Sequence, residues 1–361
     1  MASSRRRLGI LASLGLMMAV TIPQHVHATG VAAAYRLVAY GLDHPKGITV
    51  TPNGALYVAE SGHSNGSCPP PTQTATVTSV GNTGSIAMVS AAGTFSRPVR
   101  GLFSSCYLGD FIGPSAVAVL NATLYVLQAS CPGQFPPPAT SCAVSQPLLR
   151  VNANGTTRAV AQFVSHGNGD TPNVPDENPY GLAAGPGNTL YVSDGANNSI
   201  WRVTPGPTVQ TISQPLVQFP HDPTVTGIAV DRVGMLYVAL FGKAPFLPGA
   251  GKIARVSRDG RYQYIETGLN SSIGVAVSRA GTLYVLQYAS AFLLKPFPHF
   301  LPHSGAVLRV TPQGGLVPVV TGLNAPTSMA FGPDGGLYIT NNGTSPVAVN
   351  SGQVVKAFVG A

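Results

Sequence analysis

Leu56-Tyr57-Val58, Leu124-Tyr125-Val126, Leu190-Tyr191-Val192, Leu236-Tyr237-Val238, Leu283-Tyr284-Val285 and Leu337-Tyr338-Ile339 are six copies of one tripeptide, spaced 68, 66, 46, 47 and 54 residues apart. Around two of them the likeness widens, to ATLYVLQAS at 122–130 and GTLYVLQYAS at 281–290. Such a repeat constrains the fold more than any other feature, because one unit cannot bury its apolar face alone and must stack on its copies. The unit is clearest over residues 226–269. An apolar strand (Gly227 to Val230) leads through a tight turn into the Leu-Tyr-Val strand. A loop, a third strand (Lys252 to Val256), the turn Ser257-Arg258-Asp259-Gly260 and a fourth strand (Tyr262 to Thr267) follow. Third strands recur at Ser199 to Val203 and Ala306 to Val310. Short strands joined by Gly-bearing turns read as antiparallel meanders.

Four short strands per period, repeated six times, predict an all-β chain folded as a six-bladed β-propeller of four-stranded antiparallel blades. Neighbouring blades cover both faces of a sheet, so Leu, Tyr and Val can be buried in succession without strict in/out alternation. A parallel β-helix has rungs shorter than the smallest spacing, and a single tryptophan and two Gly-Gly pairs argue against WD40 and Kelch blades. The last unit offers only three strands (Ser328 to Phe331, Leu337 to Thr340, Gln353 to Phe358), while Tyr35 to Ala39 stands as an orphan strand near the start. Closure is therefore expected by the N-terminal strand completing the last blade, which leaves no open innermost edge.

Residues 1–28 read as a signal peptide: Arg5-Arg6-Arg7, an apolar stretch from Leu8 to Ile22, then Val26-His27-Ala28 at the cleavage position. The arginines also loosely match a twin-arginine signal, so Sec and twin-arginine export both stay open. The expected layout is a leader over 1–28 and one propeller domain over 29–361, secreted or extracytoplasmic, with no membrane span in the mature chain. Charged residues are 9% of the chain and hydrophobic residues 44%, enough for a core. Without the leader's three arginines, 17 Lys+Arg face 12 Asp+Glu, a net charge of +5 with no basic cluster, which argues against nucleic acid as a partner. Four cysteines fit two disulfides in an exported protein, with Cys68–Cys106 and Cys131–Cys142 the favoured pairing of three. A zinc site lacks the Cys-x-x-Cys spacing it would need.

In such meanders the first-to-second and third-to-fourth turns share one face of the disc, and the remaining loops and blade links share the other. The first set is uniformly tight, as in Pro52-Asn53-Gly54 and Gly332-Pro333-Asp334-Gly335. The second holds every long segment: 61–83, 103–114, 129–146, 165–179, 241–250, 288–304 and 342–351. Length concentrated on one face marks the binding face. The position two after each tripeptide falls at the rim of that face: Glu60, Gln128, Asp194, Leu240, Gln287 and Asn341, approached from the links by Asp43, Asn178 and Asn324. These oxygens admit two readings. They cap the turns that follow, or Glu60, Asp194 and Asn341 converge on the axis as ligands of a Ca²⁺ ion. Phe241, Phe246, Phe292, Phe297 and Phe300, interleaved with Pro and Leu, form either an apolar lip for a ligand or partner or a satellite core. His44 beside Asp43 and His221 beside Asp222 are the candidate general bases. His299 and His303 sit in a Pro-broken loop without helical spacing, so they do not read as a metal pair.

No Gly-x-Ser-x-Gly elbow, His-Glu-x-x-His, phosphate loop or dinucleotide fingerprint is present. Gly41-Leu42-Asp43-His44-Pro45-Lys46-Gly47-Ile48, followed by Pro52 to Gly62, resembles the opening of the ScyD/ScyE family, exported NHL-like propellers named from scytonemin gene clusters. Glu177-Asn178-Pro179-Tyr180-Gly181-Leu182 and Asn341-Asn342-Gly343-Thr344-Ser345 carry the resemblance onward over roughly 35–358. It implies fold and export. The leading functional expectation is a non-catalytic binding or scaffold protein, using its long-loop face for a small molecule, glycan or extracellular protein. The alternative is a metal-dependent hydrolase or lyase resembling gluconolactonase-like propellers, with central Ca²⁺ and His44 or His221 as base.

Overall fold

The computed structural model describes residues 33–65, 68, 77–107, 110–129, 147–163, 178–221, 223–295, 299–344 and 347–360. Within them the chain is all strand and turn. Strand β1 (Tyr35–Leu42) precedes blade 1, which comprises β2 (Pro45–Val50), β3 (Leu56–Glu60), β4 (Val77–Val89), β5 (Phe95–Tyr107) and a short β6 (Asp110–Ile112). Blade 2 contains β7 (Pro114–Leu120), β8 (Thr123–Gln128), β9 (Pro147–Val151) and β10 (Thr157–Phe163); blade 3 contains β11 (Pro179–Gly185), β12 (Thr189–Asp194) and β13 (Ser199–Val203). Strand β14 (Gln210–Ile212) then crosses back to pair in parallel with β10, and β15 (Val217–Gln218) closes blade 3. Blade 4 is β16 (Val225–Val230), β17 (Leu236–Leu240), β18 (Gly251–Val256) and β19 (Tyr262–Leu269). Blade 5 begins with β20 (Ser272–Val277) and β21 (Leu283–Gln287), extrudes a hairpin of β22 (Phe292–Leu293) and β23 (His299–Phe300), and ends with β24 (Gly305–Val310) and β25 (Leu316–Leu323). Blade 6 is β26 (Ser328–Phe331), β27 (Leu337–Asn341) and β28 (Gly352–Ala357), with β1 as its fourth strand.

The expected six-bladed propeller is thus observed, and its closure with it: Tyr35 pairs with Ala357, Leu37 with Val355 and Leu42 with Gly352. The innermost strands β2, β7, β11, β16, β20 and β26 each touch the next, and β26 touches β2, so they form a ring. Apolar side chains fill the wedges between blades. One cluster joins Leu120, Leu148 and Phe163 of blade 2 to Leu190 and Trp201 of blade 3. Another joins Leu42, Val354 and Tyr338 of blade 6 to Leu56, Val58 and Val89 of blade 1. Five of the six repeated tripeptides place their tyrosine on a strand whose flanking Leu and Val or Ile are both under 10% exposed. The exception is blade 2, where Leu124 is half-buried and Tyr125 is buried instead.

Two segments read from sequence as loops are strands. Residues 77–83 and 103–107 extend β4 and β5 into a long hairpin, and 110–112 adds a further strand to it. Register shifts after Val77, Gly81, Gly84 and Ile86 show why the pattern was hard to read, since each bulge resets which side chains face inward. This enlarged outer part of blade 1 is what the site below is built on.

Cys68 is bonded to Cys106, with their Cα atoms 5.4 Å apart, linking the second-to-third connection of blade 1 to β5. Cys131 and Cys142 lie outside the described residues. The bond spans 38 positions, for which a chain-entropy account gives about 4 kcal/mol of stabilisation. Replacing both Cys68 and Cys106 with Ala is expected to lower the urea midpoint by that equivalent, and mild reduction of the wild type to shift it in the same direction. Unchanged midpoints in both would show that blade 1 alone restrains the segment.

Candidate functional site

The long-loop face carries its densest chemistry at the seam where β1 hands over to β2. Leu42 completes blade 6 and Pro45 opens blade 1, so only Asp43 and His44 span the junction. His44 takes a left-handed conformation (φ 51°), which turns its side chain inward until the residue is 1% exposed. Its ring lies 4.5 Å from that of Phe111. Nδ1 is 2.9 Å from Asp43 Oδ1, and Nε2 is 3.1 Å from the carbonyl of Val347 in the blade 6 loop. Both ring nitrogens are therefore engaged, one by a carboxylate and one by a backbone carbonyl. A second imidazole meets the other carboxylate oxygen: His63 Nδ1 is 2.5 Å from Asp43 Oδ2. Burial pushes the Asp43 carboxyl up, but hydrogen bonds and positive charge from His44 and His63 outweigh it and hold the group below its ordinary 3.8.

His63 is carried to Asp43 by Gly62, whose φ is +73° and on which a Cβ would stand 2.4 Å from Thr83 Oγ1 and 2.6 Å from the Gly84 nitrogen. Only glycine fits there. The His63 amide donates to Thr83 Oγ1 at 2.7 Å, and its carbonyl accepts from Ser104 Oγ at 2.6 Å, so the extended β4–β5 hairpin fixes the backbone. The side chain remains 37% exposed, and among the described residues nothing hydrogen-bonds its Nε2.

Glu60, the rim residue of blade 1, is fully buried behind this pair. Its Oε1 accepts from the Asp43 amide (2.8 Å) and Arg97 Nη2 (2.7 Å); its Oε2 accepts from Ser85 Oγ (2.5 Å) and Arg97 Nε (2.6 Å). Arg97 also donates to the Gly41 carbonyl at 2.7 Å. Beside this network lies a cavity of about 270 Å³ lined by Asp43, Asn82, Thr83, Ser85, Arg97, Arg100, Gly101 and Asn350. Its lining is polar. Arg97 is spent on Glu60, whereas Arg100 is exposed at the cavity wall.

The other rim and link residues resolve into bonded pairs. As the Asp43 amide donates to Glu60, so the Asn178 amide donates to Asp194 Oδ1 (3.0 Å) and the Asn324 amide to Asn341 Oδ1 (2.8 Å). In blades 1, 3 and 6, then, the oxygen at the end of the second strand clamps the link entering the first. Asp194 also accepts from the Ala196 and Asn197 amides and from Asn197 Nδ2, and burial raises its carboxyl above the ordinary range despite these bonds. Gln128 donates to the Phe103 and Ala129 carbonyls, and Gln287 is half-buried on β21. Glu60, Asp194 and Asn341 thus each spend their oxygens within their own blade. Among the described residues no three His, Cys, Asp or Glu side chains form a metal-holding group. The residue set does not fit an axial Ca²⁺ site.

The axis itself is crossed by a tyrosine. Tyr180 of β11 donates to the Thr327 carbonyl at 3.0 Å, from blade 3 to the opposite blade 6. Lys46 pairs with Asp110 (2.9 Å) at the same mouth, and burial raises the phenols of Tyr180 and Tyr288. Of the remaining sequence candidates, His221 is exposed with φ 65° in the blade 3–4 link, and its neighbour Asp222 lies outside the described residues. Phe241, Phe246, Phe292, Phe300 and Tyr288 form one ring cluster, neighbouring centroids 4.7 to 6.1 Å apart, with Tyr288 against Phe241 and Phe300, as a satellite core under the blade 4 and 5 loops; Phe297 lies outside the described residues. His63, Arg97 and Arg100 were not singled out by the sequence reading. The one available signal was the position of His63, three residues after the rim glutamate in Glu60-Ser61-Gly62-His63.

No family model matches this chain, and no curated protein matches it. Solved structures do. An oxidoreductase described as a glucose dehydrogenase from Thermus thermophilus superposes with a TM-score of 0.57 at 16% identity, covering 90% of this chain and 99% of that one. The PQQ-bound aldose sugar dehydrogenase from Streptomyces coelicolor gives 0.53 at 14%, covering 89% and 96%. A gluconolactonase from Xanthomonas campestris gives 0.52 at 13%, covering 90% and 89%. At these identities the likeness defines the class: a six-bladed β-propeller.

Proposed function

We propose that this chain is an exported propeller of the ScyD/ScyE type whose blade 1–blade 6 seam hydrolyses a small anionic lactone or ester. The carrying observation is one carboxylate, Asp43, held between two imidazoles of unequal exposure. His44 is enclosed, with both ring nitrogens engaged, and holds the Asp43 carboxylate in place. His63 is oriented through Nδ1, which leaves Nε2 as a lone-pair base facing water. In the proposed reaction His63 Nε2 takes a proton from water, and the resulting hydroxide attacks the acyl carbon. The acyl C–O bond then breaks, and the proton passes from His63 to the departing alkoxide. Arg100 supplies the cation that recognises a substrate carboxylate in the adjoining cavity. The base role expected for His44 thereby moves to His63, because both His44 nitrogens are already engaged. The Cys68–Cys106 bond supports an oxidising compartment, in keeping with the N-terminal leader. That a propeller of this fold is a gluconolactonase in Xanthomonas campestris supports starting with sugar lactones.

Assay of the purified protein against sugar lactones that keep a free carboxylate, with neutral aldonolactones for comparison, and against simple carboxylate-bearing esters is expected to show turnover of the anionic substrates. His63→Gln should lower kcat by about 10²–10⁴, the usual worth of a general base. Asp43→Asn should act through tautomer loss, and Arg100→Ala should raise KM for anionic substrates more than for neutral ones. Turnover by His63→Gln at the wild-type rate would overturn the assignment. Ligand binding in the cavity without turnover would leave the binding-protein reading in its place.

A further inference from the structure

The tight turns of blades 2 to 5 carry most of the protein's positive charge. In each of these blades the tyrosine of the repeated tripeptide is paired across the sheet with an arginine of the third strand: Tyr125 with Arg150, Tyr191 with Arg202, Tyr237 with Arg255 and Tyr284 with Arg309. Each arginine stands one residue before the end of its strand, so four consecutive blades present one guanidinium apiece at the same register position. Arg150, Arg202 and Arg255 are exposed and Arg309 is half-buried. The turns add more. Arg232 and Arg279 sit in the first-to-second turns of blades 4 and 5, and Arg258 in the third-to-fourth turn of blade 4. Side chains tie neighbouring turns together: Arg202 donates to the Arg258 carbonyl at 3.3 Å, Arg258 to the Val233 carbonyl at 2.6 Å and Arg158 to the Pro207 carbonyl at 2.5 Å.

Within these turns and the two strand residues flanking each, blades 2 to 5 hold nine arginines and two aspartates. Both aspartates are engaged locally. Asp231 accepts from the Val233 and Met235 amides at 3.0 and 2.8 Å, and Asp259 from Arg261 Nε at 3.1 Å. After the leader the chain holds 17 Lys+Arg and 12 Asp+Glu, which leaves eight cations and ten acids for everywhere else. Positive charge is thus gathered at one end of the blades. The sequence hides this, because the nine arginines are scattered over residues 150–309 and form no run.

Guanidinium forks match carboxylates two oxygens at a time, which lysines cannot do. Between the arginines the turns display exposed amides. Asn121 Nδ2 donates to Asn188 Oδ1 across blades 2 and 3 (2.9 Å), leaving one carbonyl and one amide of the pair to bond outward, and Asn154 and Gln313 are exposed on blades 2 and 5. Amides bond hydroxyls in either direction. An anionic bilayer asks for apolar side chains beside its cations, whereas here polar amides stand beside them. We infer that the tight-turn face of blades 2 to 5 binds an acidic polysaccharide of the uronic-acid type, laid along Arg150, Arg202, Arg255 and Arg309 with its hydroxyls against the turn amides. The surface is separate from the seam: Asp43 and His44 precede β2, at the end of that strand away from its turn Thr51–Ala55. Polymer and seam ligand therefore do not compete.

Biolayer interferometry on immobilised polygalacturonate tests this, with its full methyl ester and dextran as uncharged polymers. The full chain without its leader is expected to bind the first and neither of the others, with affinity falling as salt rises. Arg202→Gln with Arg255→Gln should weaken binding by roughly tenfold or more, the worth of charge-assisted hydrogen bonds. Arg150→Gln with Arg309→Gln should do the same, and it carries the test if thermal melts show the first pair to be destabilised. Arg36→Gln with Lys295→Gln removes equal charge from exposed positions off this face and should change affinity by less than about twofold. Wild-type affinity in both arginine pairs would overturn the inference. So would an equal loss in the Arg36 and Lys295 variant, which would reduce the effect to net charge. Equal or tighter binding to duplex DNA or to phosphatidylglycerol vesicles would overturn it too, by showing a surface that reads charge alone. None of these readouts depends on lactone hydrolysis, so failure of the seam reaction leaves them untouched.

Discussion

A chain lacking residues 35–42 is expected to lose cooperative unfolding altogether at 25 °C. Strand β1 is the only covalent reason that blade 6 meets blade 1: its register with β28 runs from Tyr35–Ala357 to Leu42–Gly352. Without it the row Gly352–Ala357, whose residues are almost all buried, becomes an open edge with unsatisfied backbone groups. The inter-blade cluster also loses Ala39 and the fully buried Leu42. Removing a side chain like Leu42 alone costs about 2–5 kcal/mol. With an edge of unpaired peptide groups added, the total approaches the whole stability of a typical domain, about 5–15 kcal/mol. Circular dichroism through a urea titration is the measurement. A sharp two-state transition in the truncated protein would show that inter-blade packing suffices to close the ring. Leu42→Ala, retaining the strand, should fold with a lowered midpoint and so separates packing from closure.

Arg97→Ala is expected to destabilise the protein by about 3–5 kcal/mol, the usual cost of leaving one partner of a buried ion pair alone. Glu60 has no exposed side-chain surface and Arg97 only 19%, so solvent cannot replace the lost guanidinium. The fork of Nε and Nη2 on two carboxylate oxygens is the geometry that lysine cannot reproduce, and Arg97→Lys should recover only part of the loss. Replacing both residues by apolar ones, Glu60→Leu with Arg97→Met, should cost much less than the single change, because no uncompensated charge remains. Denaturant midpoints of the four proteins decide the matter. A loss below about 1 kcal/mol for Arg97→Ala would place the pair among weakly coupled surface pairs. The same variant should also lower activity, since the Asp43 amide is anchored on Glu60 and Asp43 orients His63.

Much of the architecture was legible because it repeats. Each Leu-Tyr-Val tripeptide marks the second strand of its blade, and the unit read over 226–269 coincides with β16 to β19. The short strands β6 and β14 were not legible. Three residues carry no periodicity, and β14 pairs in parallel with β10 of another blade, a partner that local pattern cannot name. The rim residues were placed at the ends of the right strands, but not with their partners. Position along a strand follows from a period of two, whereas the direction of a carboxylate depends on what lies within about 3 Å of it. For Glu60 that is Arg97, 37 residues on, in the one blade whose outer strands are lengthened and bulged.

The amino-acid order by itself therefore determined six meanders, their closure and the uneven division of loop length between two faces. Those follow from patterns of burial that recur whatever the neighbouring blades contain. Tertiary structure alone decided that Asp43 sits between His44 and His63 and that Tyr180 crosses the channel. Those contacts depend on which side chain each repeat position carries and on the backbone turns at His44 and Gly62, and for Tyr180 on a partner in another blade, none of which the repeated pattern sets.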